Sequence, residues 1–300
     1  MPAPAGRGAA GAVEGRPVLE LGDIRVTVLN DGFQRLDGGA MFGVVPKPLW
    51  ERRIAPDERN RIRLALRCLL LEGPGGPVLV DTGIGSKEQA RDSRFCDIYG
   101  VEREGGLLAE LDALGLAPED VRLVVNTHLH FDHCGGNTRL GPDGSVVPTF
   151  PNARYVVVRG EWQDAMAPSE RNRASYLRDN FVPPQQAGLL DLVAPGSVLS
   201  PGVQFVHAPG HTRFHQCVRI DGGAGTALFC ADLVPTASHI PYPYIMAYDL
   251  YPMETLGTKK SLLPEAAGEG WRIVLEHEPE NPVGRLQPEE RGGFGWVPEA

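Results

Sequence analysis

The chain has 300 residues with a formal net charge of −9, and 42% of them are hydrophobic. This is an ordinary globular composition with enough apolar residues for a sizeable core, and the acidic balance does not favour a nucleic-acid partner. No apolar stretch of the sequence approaches the roughly 20 residues of a membrane helix, so we expect no membrane contact. The five cysteines form no C-x-x-C pair, which argues against a disulfide framework and favours the cytoplasm.

The predicted elements begin after a tail. Residues 1–16 are rich in Gly, Ala and Pro, and we expect them to be disordered, with one domain over residues 17–300. Runs of apolar and β-branched residues predict strands within 21–32, 64–85 (as a hairpin), 121–126, 153–158, 202–211, 215–220, 226–233 and 271–279. Helices are predicted over 105–120, 159–166, 169–181 and 253–270, the last interrupted or ended near Pro264. Strands in both halves with helices between them indicate packed sheets covered by helices.

The stretch NTHLHFDHCGGN, residues 126–137, holds three of the eight histidines directly after a predicted strand. His128 and His130 project to one side, because alternate residues of an extended segment share a side. Asp132 and His133 follow in a turn that can bring both back to the same point. Four such ligands in six residues would strain a single site, so two neighbouring metals fit the pattern better. The alternative is a surface histidine cluster with no ligand role.

Five segments in chain order resemble motifs of the metallo-β-lactamase superfamily. THLHFDHCGG resembles its H-x-H-x-D-H signature, with VLVDTGIG before it and HAPGHT, LFCADL and VLEHEP after it. The resemblance covers roughly residues 20–285 and implies an α/β fold, a four-layer αββα sandwich. Carried over position by position, it implies nine site residues: His128, His130 and His211 on a first metal; Asp132, His133 and His277 on a second; Asp232 as the bridge; Asp81 and His215 as supports.

The resemblance implies a hydrolase with two divalent metal ions, zinc by default, although iron, manganese or cobalt also suit these ligands. Bound water of lowered pKa would be the nucleophile, oriented by Asp132, and an ester, lactone or phosphotriester would be the small-molecule substrate. The closest likeness is to the branch of acyl-homoserine lactonases and organophosphate hydrolases. Those lactonases carry a tyrosine shortly after the bridging aspartate, whereas this chain has DLVPTASH there.

A nearby aromatic stretch, HIPYPYIMAYDLYP, offers replacements for that tyrosine. We expect His239 or Tyr244 to donate a proton or polarise the substrate, and we expect Phe42, Tyr242 and Tyr248 to line the pocket. The alternative is that these aromatic residues only pack the loop. A rival function is a mononuclear iron sulfur dioxygenase similar to persulfide dioxygenases, which also keep histidine at the position of His130. A metal-binding protein without catalysis and a homodimer are left open.

Overall fold

The computed structural model describes residues 15–290 and 292–299. The predicted tail therefore lies outside the described residues, except for Gly15 and Arg16, and Arg16 forms an ion pair with Glu110. Sixteen strands run through the described part of the chain: β1 Val18–Glu20, β2 Arg25–Asp37, β3 Arg61–Glu72, β4 Val78–Val80, β5 Leu123–Val125, β6 Thr138–Leu140, β7 Val146–Pro148, β8 Arg154–Val158, β9 Leu190–Val193, β10 Val198–Ser200, β11 Val203–His207, β12 Gln216–Asp221, β13 Thr226–Phe229, β14 Arg272–Val274, β15 Val283–Pro288 and β16 Phe294–Pro298.

The strands form two seven-stranded sheets and one small hairpin. The first sheet has the order β1-β2-β3-β4-β5-β8-β9, the second runs from β10 to β16 in sequence order, and β6 pairs with β7. The inner faces of the two sheets meet in one apolar layer, in which Val28, Leu69 and Val80 of the first sheet join Phe205, Val218 and Phe229 of the second. Alternation of side chains along each strand supplies this layer.

Helices cover the outer faces of both sheets. Their bounds are α1 Gly38–Phe42, α2 Lys47–Trp50, α3 Lys87–Arg91, α4 Ser93–Tyr99, α5 Gly106–Ala113, α6 Phe131–Cys134, α7 Arg159–Met166, α8 Arg178–Gln186 and α9 Pro252–Gly268. Leu107 and Leu111 of α5 pack on the first sheet, and Leu262 and Leu263 of α9 pack on the second. The predicted four-layer αββα arrangement is confirmed. No helix within residues 15–290 and 292–299 is long and apolar enough to cross a membrane.

Three helix predictions differ from the structure. The helix predicted over 105–120 ends at Ala113, before Gly115 and Pro118. Helix α9 continues through Pro264, because this proline faces solvent while Leu263 and Ala266 are buried against the sheet. The predicted helix over 169–181 begins only at Arg178. Residues 169–177 form turns instead, and the carbonyl of Ser175 accepts a hydrogen bond from the amide of Phe131 rather than closing a helical turn. Packing and a long-range backbone contact thus override local propensity.

Candidate metal centre

The histidine-rich segment lies where β5 ends. Parallel strands β4, β5 and β8 finish at the same edge of their sheet, so the residues that follow them gather there. His128 and His130 leave the strand in extended backbone, and α6 begins directly after His130. The first turn of α6 reverses the direction of the chain and places Asp132 and His133 near His128 and His130. The rings of His128 and His133 lie 4.0 Å apart between centroids.

The other candidate ligands follow three strands of the second sheet at the facing edge. His211 lies beyond β11, Asp232 beyond β13 and His277 beyond β14. Backbone geometry requires glycine beside one of them: Gly210 has φ 140°, and a Cβ there would lie 2.2 Å from the hydroxyl of Thr255. The sequence PGH therefore lets the His211 loop pass tightly over the start of α9.

These side chains form two adjacent clusters whose members could each hold a metal ion. Within each cluster the ligand atoms lie within 4.8 Å of one another. The first contains His128, His130, His211 and Asp232, and the second contains Asp132, His133 and His277. We refer to these seven residues together as the ligand cluster. All seven are buried or nearly so, with relative exposures of 0 to 7%.

Asp232 lies between the two groups. Its Oδ2 is 2.9 Å from Nε2 of His211, whereas its Oδ1 is 3.1 Å from Nε2 of His277 and 3.5 Å from Nε2 of His133. One carboxylate thus turns one oxygen towards each cluster.

Three buried ring nitrogens in this cluster have no hydrogen-bond partner among the described residues: Nε2 of His128, Nε2 of His130 and Nε2 of His133. An unsatisfied buried polar group costs about 1–3 kcal/mol, so native structures rarely retain one without compensation. Nε2 of His128 lies 3.9 Å from Oδ2 of Asp232, and Nε2 of His133 lies 3.5 Å from its Oδ1. A divalent cation bound by these nitrogens would satisfy them, and imidazole and carboxylate are suitable donors for zinc and its neighbours. The residues therefore fit metal.

The ring nitrogens that face away from this space are held by fixed partners. Nδ1 of His211 lies 2.9 Å from a carboxylate oxygen of Asp249, and Nδ1 of His277 lies 2.7 Å from the carbonyl of Ala65. Such contacts set the tautomer and the orientation of a ligating histidine. In His211 and His277 the other ring nitrogen, Nε2, is consequently oriented towards Asp232 by the protein itself.

His133 is held by two buried carboxylates at once. Its Nδ1 lies 3.1 Å from Asp81 and 3.0 Å from Glu276. Asp81 also accepts hydrogen bonds from the amide and hydroxyl of Thr127, at 2.9 and 2.7 Å. Burial raises the pKa of Glu276 to about 8, although His133 opposes the shift. Asp81 thus lies in the supporting position that the sequence predicts, and Glu276 joins it.

His215 also supports rather than extends the ligand cluster. Its Nδ1 donates to the carbonyl of Ala208 at 3.1 Å, and its Nε2 accepts from the backbone amide of Asp232 at 3.2 Å. Burial, reinforced by His211, lowers the pKa of His215 to about 3. The neutral ring can therefore keep accepting this bond and hold the backbone of Asp232 in place.

Electrostatics favours positive charge between the clusters. Burial lowers the pKa of His211, but the carboxylates of Asp232 and Asp249 outweigh it and raise the value to about 10. The same balance, with Asp232 and Glu276, raises the pKa of His277 to about 9. Protons on these rings occupy the positions where a cation would serve, and metal binding must displace them.

Sequence reasoning missed four buried polar residues around this centre. Gln34 donates to Asp132 at 2.5 Å. Asp249 contacts His211, and Glu276 contacts His133. Glu161 accepts bonds from the amide of Leu129 and from the hydroxyls of Tyr176 and Thr212, and so joins the two loops that carry His130 and His211. Glu276 adjoins His277 in the sequence, which is a usable signal. Gln34, Glu161 and Asp249 stand in no motif of the sequence, so no sequence signal pointed to them.

A cavity of about 360 Å³ opens over the ligand cluster. Its wall is largely apolar, with a polar edge near the mouth. The described residues that line it are Leu36, Ala40, Met41, Tyr99, His130, Phe131, Asp132, Arg171, Asn172, Ala174, Ser175, His211, Asp232, Met246, Ala247, Tyr248, Leu250 and His277. We call the lining residues within 171–175 and 246–250 the rim.

Of the predicted donors and pocket residues, the structure brings only Tyr248 to this cavity. His239 is buried behind the wall, with one ring nitrogen 2.8 Å from the carbonyl of Met41 and the other 2.8 Å from the hydroxyl of Thr236. Phe42 is fully buried and stacks on the ring of His239, with centroids 4.6 Å apart.

The two remaining aromatic residues lie outside the cavity for similar reasons. Tyr244 is held edge-on to Phe42 and under the guanidinium of Arg53. Tyr242 lies beside Phe294 of β16, on the outer side of the second sheet. Packing thus uses most of the aromatic residues in this stretch.

Comparison with known proteins agrees with this geometry. Residues 64–277 match the Metallo-beta-lactamase superfamily. The chain belongs to this superfamily. It is a metal-dependent hydrolase, and the histidine and aspartate clusters are able to bind its metal. The family identified from the five sequence motifs is therefore confirmed.

Characterised relatives include lactonases. The N-acyl homoserine lactonase AttM of Azorhizobium caulinodans is 30% identical over 230 residues, which cover 70% of this chain and 81% of that protein. A probable metallo-hydrolase of Mycobacterium tuberculosis is 32% identical over 221 residues, covering 64% of this chain and 66% of that protein.

Solved structures share the fold over most of the chain. A probable metal-dependent hydrolase from Staphylococcus aureus superposes with a TM-score of 0.85 at 29% identity, covering 94% of this chain and 99% of that one. The dizinc quorum-quenching lactonase AidC, solved with the product N-hexanoyl-L-homoserine, has a TM-score of 0.78 at 22% identity and covers 95% and 98%. At that identity, the likeness to AidC shows the fold alone.

Proposed function

We propose that the protein is a dinuclear metallo-hydrolase that opens ester or lactone bonds of small molecules, with phosphotriesters as a secondary substrate class. The position of Asp232 carries this proposal. Its two carboxylate oxygens face different histidine groups, His211 on one side and His277 on the other. A mononuclear site would use one of these groups and leave the other as a costly buried cluster.

The two metals would be held by the ligand cluster as the sequence resemblance implies, with His128, His130 and His211 on one side and Asp132, His133 and His277 on the other. Two divalent ions held there would lower the pKa of a bound water and would polarise the group under attack. The relatives named as N-acyl homoserine lactonases support an ester or lactone carbonyl as that group.

The residues of the chain orient the reactants. Gln34 holds Oδ2 of Asp132 at 2.5 Å, which leaves the other carboxylate oxygen to accept a hydrogen bond from the nucleophile. The apolar wall over the ligand cluster accepts the acyl part of a substrate and excludes water from it. The 360 Å³ cavity suits a small molecule.

Two phenols in the wall can take the place of the tyrosine that the lactonase likeness predicts after Asp232. Tyr99 and Tyr248 both line the cavity. Burial raises the pKa of both, to about 12 for Tyr248, and the nearby charge of Asp132 adds to the shift. Both hydroxyls therefore stay protonated at neutral pH and can donate to a carbonyl or leaving oxygen.

The test combines metal content with turnover. Purified protein is analysed by mass spectrometry for metal, and the same preparation is assayed on an ester, a lactone and a phosphotriester. Two metals per chain, together with turnover that His130→Ala removes, would support the proposal. One iron per chain, no hydrolysis and oxygen consumption with glutathione persulfide would overturn it in favour of the dioxygenase alternative.

A further inference from the structure

The polar edge of the cavity carries one formal charge outside the ligand cluster. Among the described residues that line the cavity, Arg171 is the one lysine or arginine, and the charged or histidine residues besides it belong to the ligand cluster. The remainder of the rim contributes neutral polar or apolar groups, such as Asn172, Ser175 and Met246. A substrate that fills this cavity from the ligand cluster outwards meets apolar wall first and a cation last.

The guanidinium of Arg171 is available to a ligand. One Nη donates to the carbonyl of Ala247 across the mouth at 2.7 Å, and no other hydrogen-bond acceptor for its nitrogens occurs among the described residues. No carboxylate in that part of the chain lies within 4.0 Å of it, whereas Arg173, two residues away, pairs with Glu170 at 3.5 Å. Four of its five N–H donors are thus free of protein acceptors.

The segment that carries Arg171 is fixed to the metal centre. The amides of Asn172 and Arg173 donate to the carbonyl of Ser169, and the hydroxyl of Ser169 donates to the side chain of Asn172 at 2.8 Å. The carbonyl of Ser175 accepts from the amide of Phe131, between the ligands His130 and Asp132. The backbone below Arg171 therefore has a set position relative to the reacting bond, which selectivity requires.

We propose that Arg171 selects substrates that carry a carboxylate at the end remote from the bond that is hydrolysed. This inference rests on the proposed esterase or lactonase function and narrows its substrate class to anionic, amphiphilic esters. A carboxylate matches the planar guanidinium and its paired donors, and the charge-assisted bond is stronger than the bond to a neutral carbonyl. A molecule with an apolar middle and an anionic end meets every part of the cavity with suitable chemistry.

The test uses matched ester pairs. The 4-nitrophenyl half-ester of adipic acid carries a remote carboxylate, and 4-nitrophenyl methyl adipate has the same chain with that charge masked. Shorter and longer diacids cover other distances to Arg171. We expect the wild-type protein to prefer the half-ester by about tenfold in kcat/KM, through KM, since a charged hydrogen bond at an exposed guanidinium is partly screened by solvent and salt. The preference should weaken as salt is added.

Variants assign the preference to its residue. Arg171→Gln keeps an N–H for the carbonyl of Ala247 but removes the charge, so it should abolish the preference. Arg171→Lys should restore part of it, and Arg173→Gln on the same segment should keep it in full. Equal turnover of both esters by the wild-type protein, or a preference that Arg171→Gln retains, would overturn this inference alone. Failure to hydrolyse either ester, a lactone or a phosphotriester would instead overturn the proposed function.

Discussion

The ligand cluster forms the floor of the cavity, and this floor differs from the rim in burial and in hydrogen bonding. In the ligand cluster no residue exceeds 7% exposure, and His133, for example, is held between Asp81 and Glu276. At the rim, Tyr248 is 39% exposed and Arg171 makes one hydrogen bond. Buried polar groups require complete sets of partners, so the floor has one permitted arrangement. The rim is solvated and can change residues at little cost to stability.

Chemistry and selectivity therefore reside in different parts of this cavity. A metal centre requires ligand atoms placed within tenths of an ångström, and only a buried, hydrogen-bonded network provides that precision. Substrate preference needs a difference in free energy of only a few kcal/mol between alternatives, which one exposed side chain can supply. Changes to the floor should therefore affect metal binding and all substrates, whereas changes to the rim should affect some substrates.

The largest effect should come from Asp232→Asn at the centre of the floor. The amide keeps the shape but removes the negative charge that faces both His211 and His277. We expect kcat/KM to fall by about 10²–10³-fold for every substrate, as when a preorganised electrostatic group is lost. Steady-state kinetics and metal analysis check this, with Asp112→Asn on the exposed face of α5 as the control. Normal metal content and turnover would contradict the bridging role.

The next largest effects should differ between the two groups of ligands, the one that contains His211 and the one that contains His133. Asp249 belongs to the rim segment by position, but its carboxylate is buried and holds Nδ1 of His211. Asp249→Asn should weaken the site of His211 by about 10–100-fold, the range for partners of ligating histidines. Asp81→Asn should weaken the site of His133 instead.

Competition with a chelator, followed by counting the retained metal, distinguishes these outcomes. Each variant should retain one ion at a chelator concentration at which the wild-type protein retains two. Simultaneous loss of both ions in each variant would show that the two groups of ligands are not separable.

The amino-acid sequence predicts the ligand cluster more completely than the residues that surround it. Four of the seven candidate ligand positions follow from one dense motif, because metal chemistry restricts both residue type and spacing, and the family resemblance adds the other three from three further segments in fixed order. Glu161 and Gln34 were missed because a lone glutamate in RGEWQDAM and a lone glutamine in a strand carry no spacing signal. The packing of sheets under helices followed from strand and helix patterns for a different reason, since burial imposes periodicity, and the family resemblance added the four-layer order.

The rim was the part that sequence reasoning placed least well. His239 and Tyr244 were expected to act on the substrate, but the first is enclosed by Met41 and Thr236 and the second packs beside Phe42. Arg171 was placed in a predicted helix, although the structure shows turns there. An aromatic residue in a loop looks the same in a sequence whether it packs inward or faces a ligand. Only long-range contacts decide between these outcomes.

A smaller effect should appear in stability rather than turnover. Lys259 is fully buried and donates to the carbonyls of His239, Pro241 and Tyr244, which support the chain that leads into the rim. Burial lowers the pKa of Lys259 to about 7 from an ordinary 10.5. Above pH 7 the unfolded chain therefore keeps a proton that the folded protein releases.

The free energy of unfolding should consequently rise with pH between about 7 and 10, by up to about 1.4 kcal/mol per unit from this group. Below about pH 7 both states hold the proton, and the contribution becomes constant. Lys259→Met should remove this slope, which denaturant titrations at several pH values measure. Parallel pH profiles for the two proteins would show that Lys259 is charged throughout this range.

The smallest effect should be the difference in kcat between removing the hydroxyl of a tyrosine that lines the cavity and removing that of a tyrosine that packs outside it. Tyr248 lines the cavity, whereas Tyr242 lies against Phe294 outside it. Tyr248→Phe removes only a hydroxyl, so we expect a loss in kcat of up to about tenfold, the worth of one hydrogen bond of about 0.5–1.5 kcal/mol. Tyr242→Phe should change kcat by less than about twofold. A loss in Tyr99→Phe but not in Tyr248→Phe would instead assign the donor to Tyr99, which lies beside Phe131 and near Asp132.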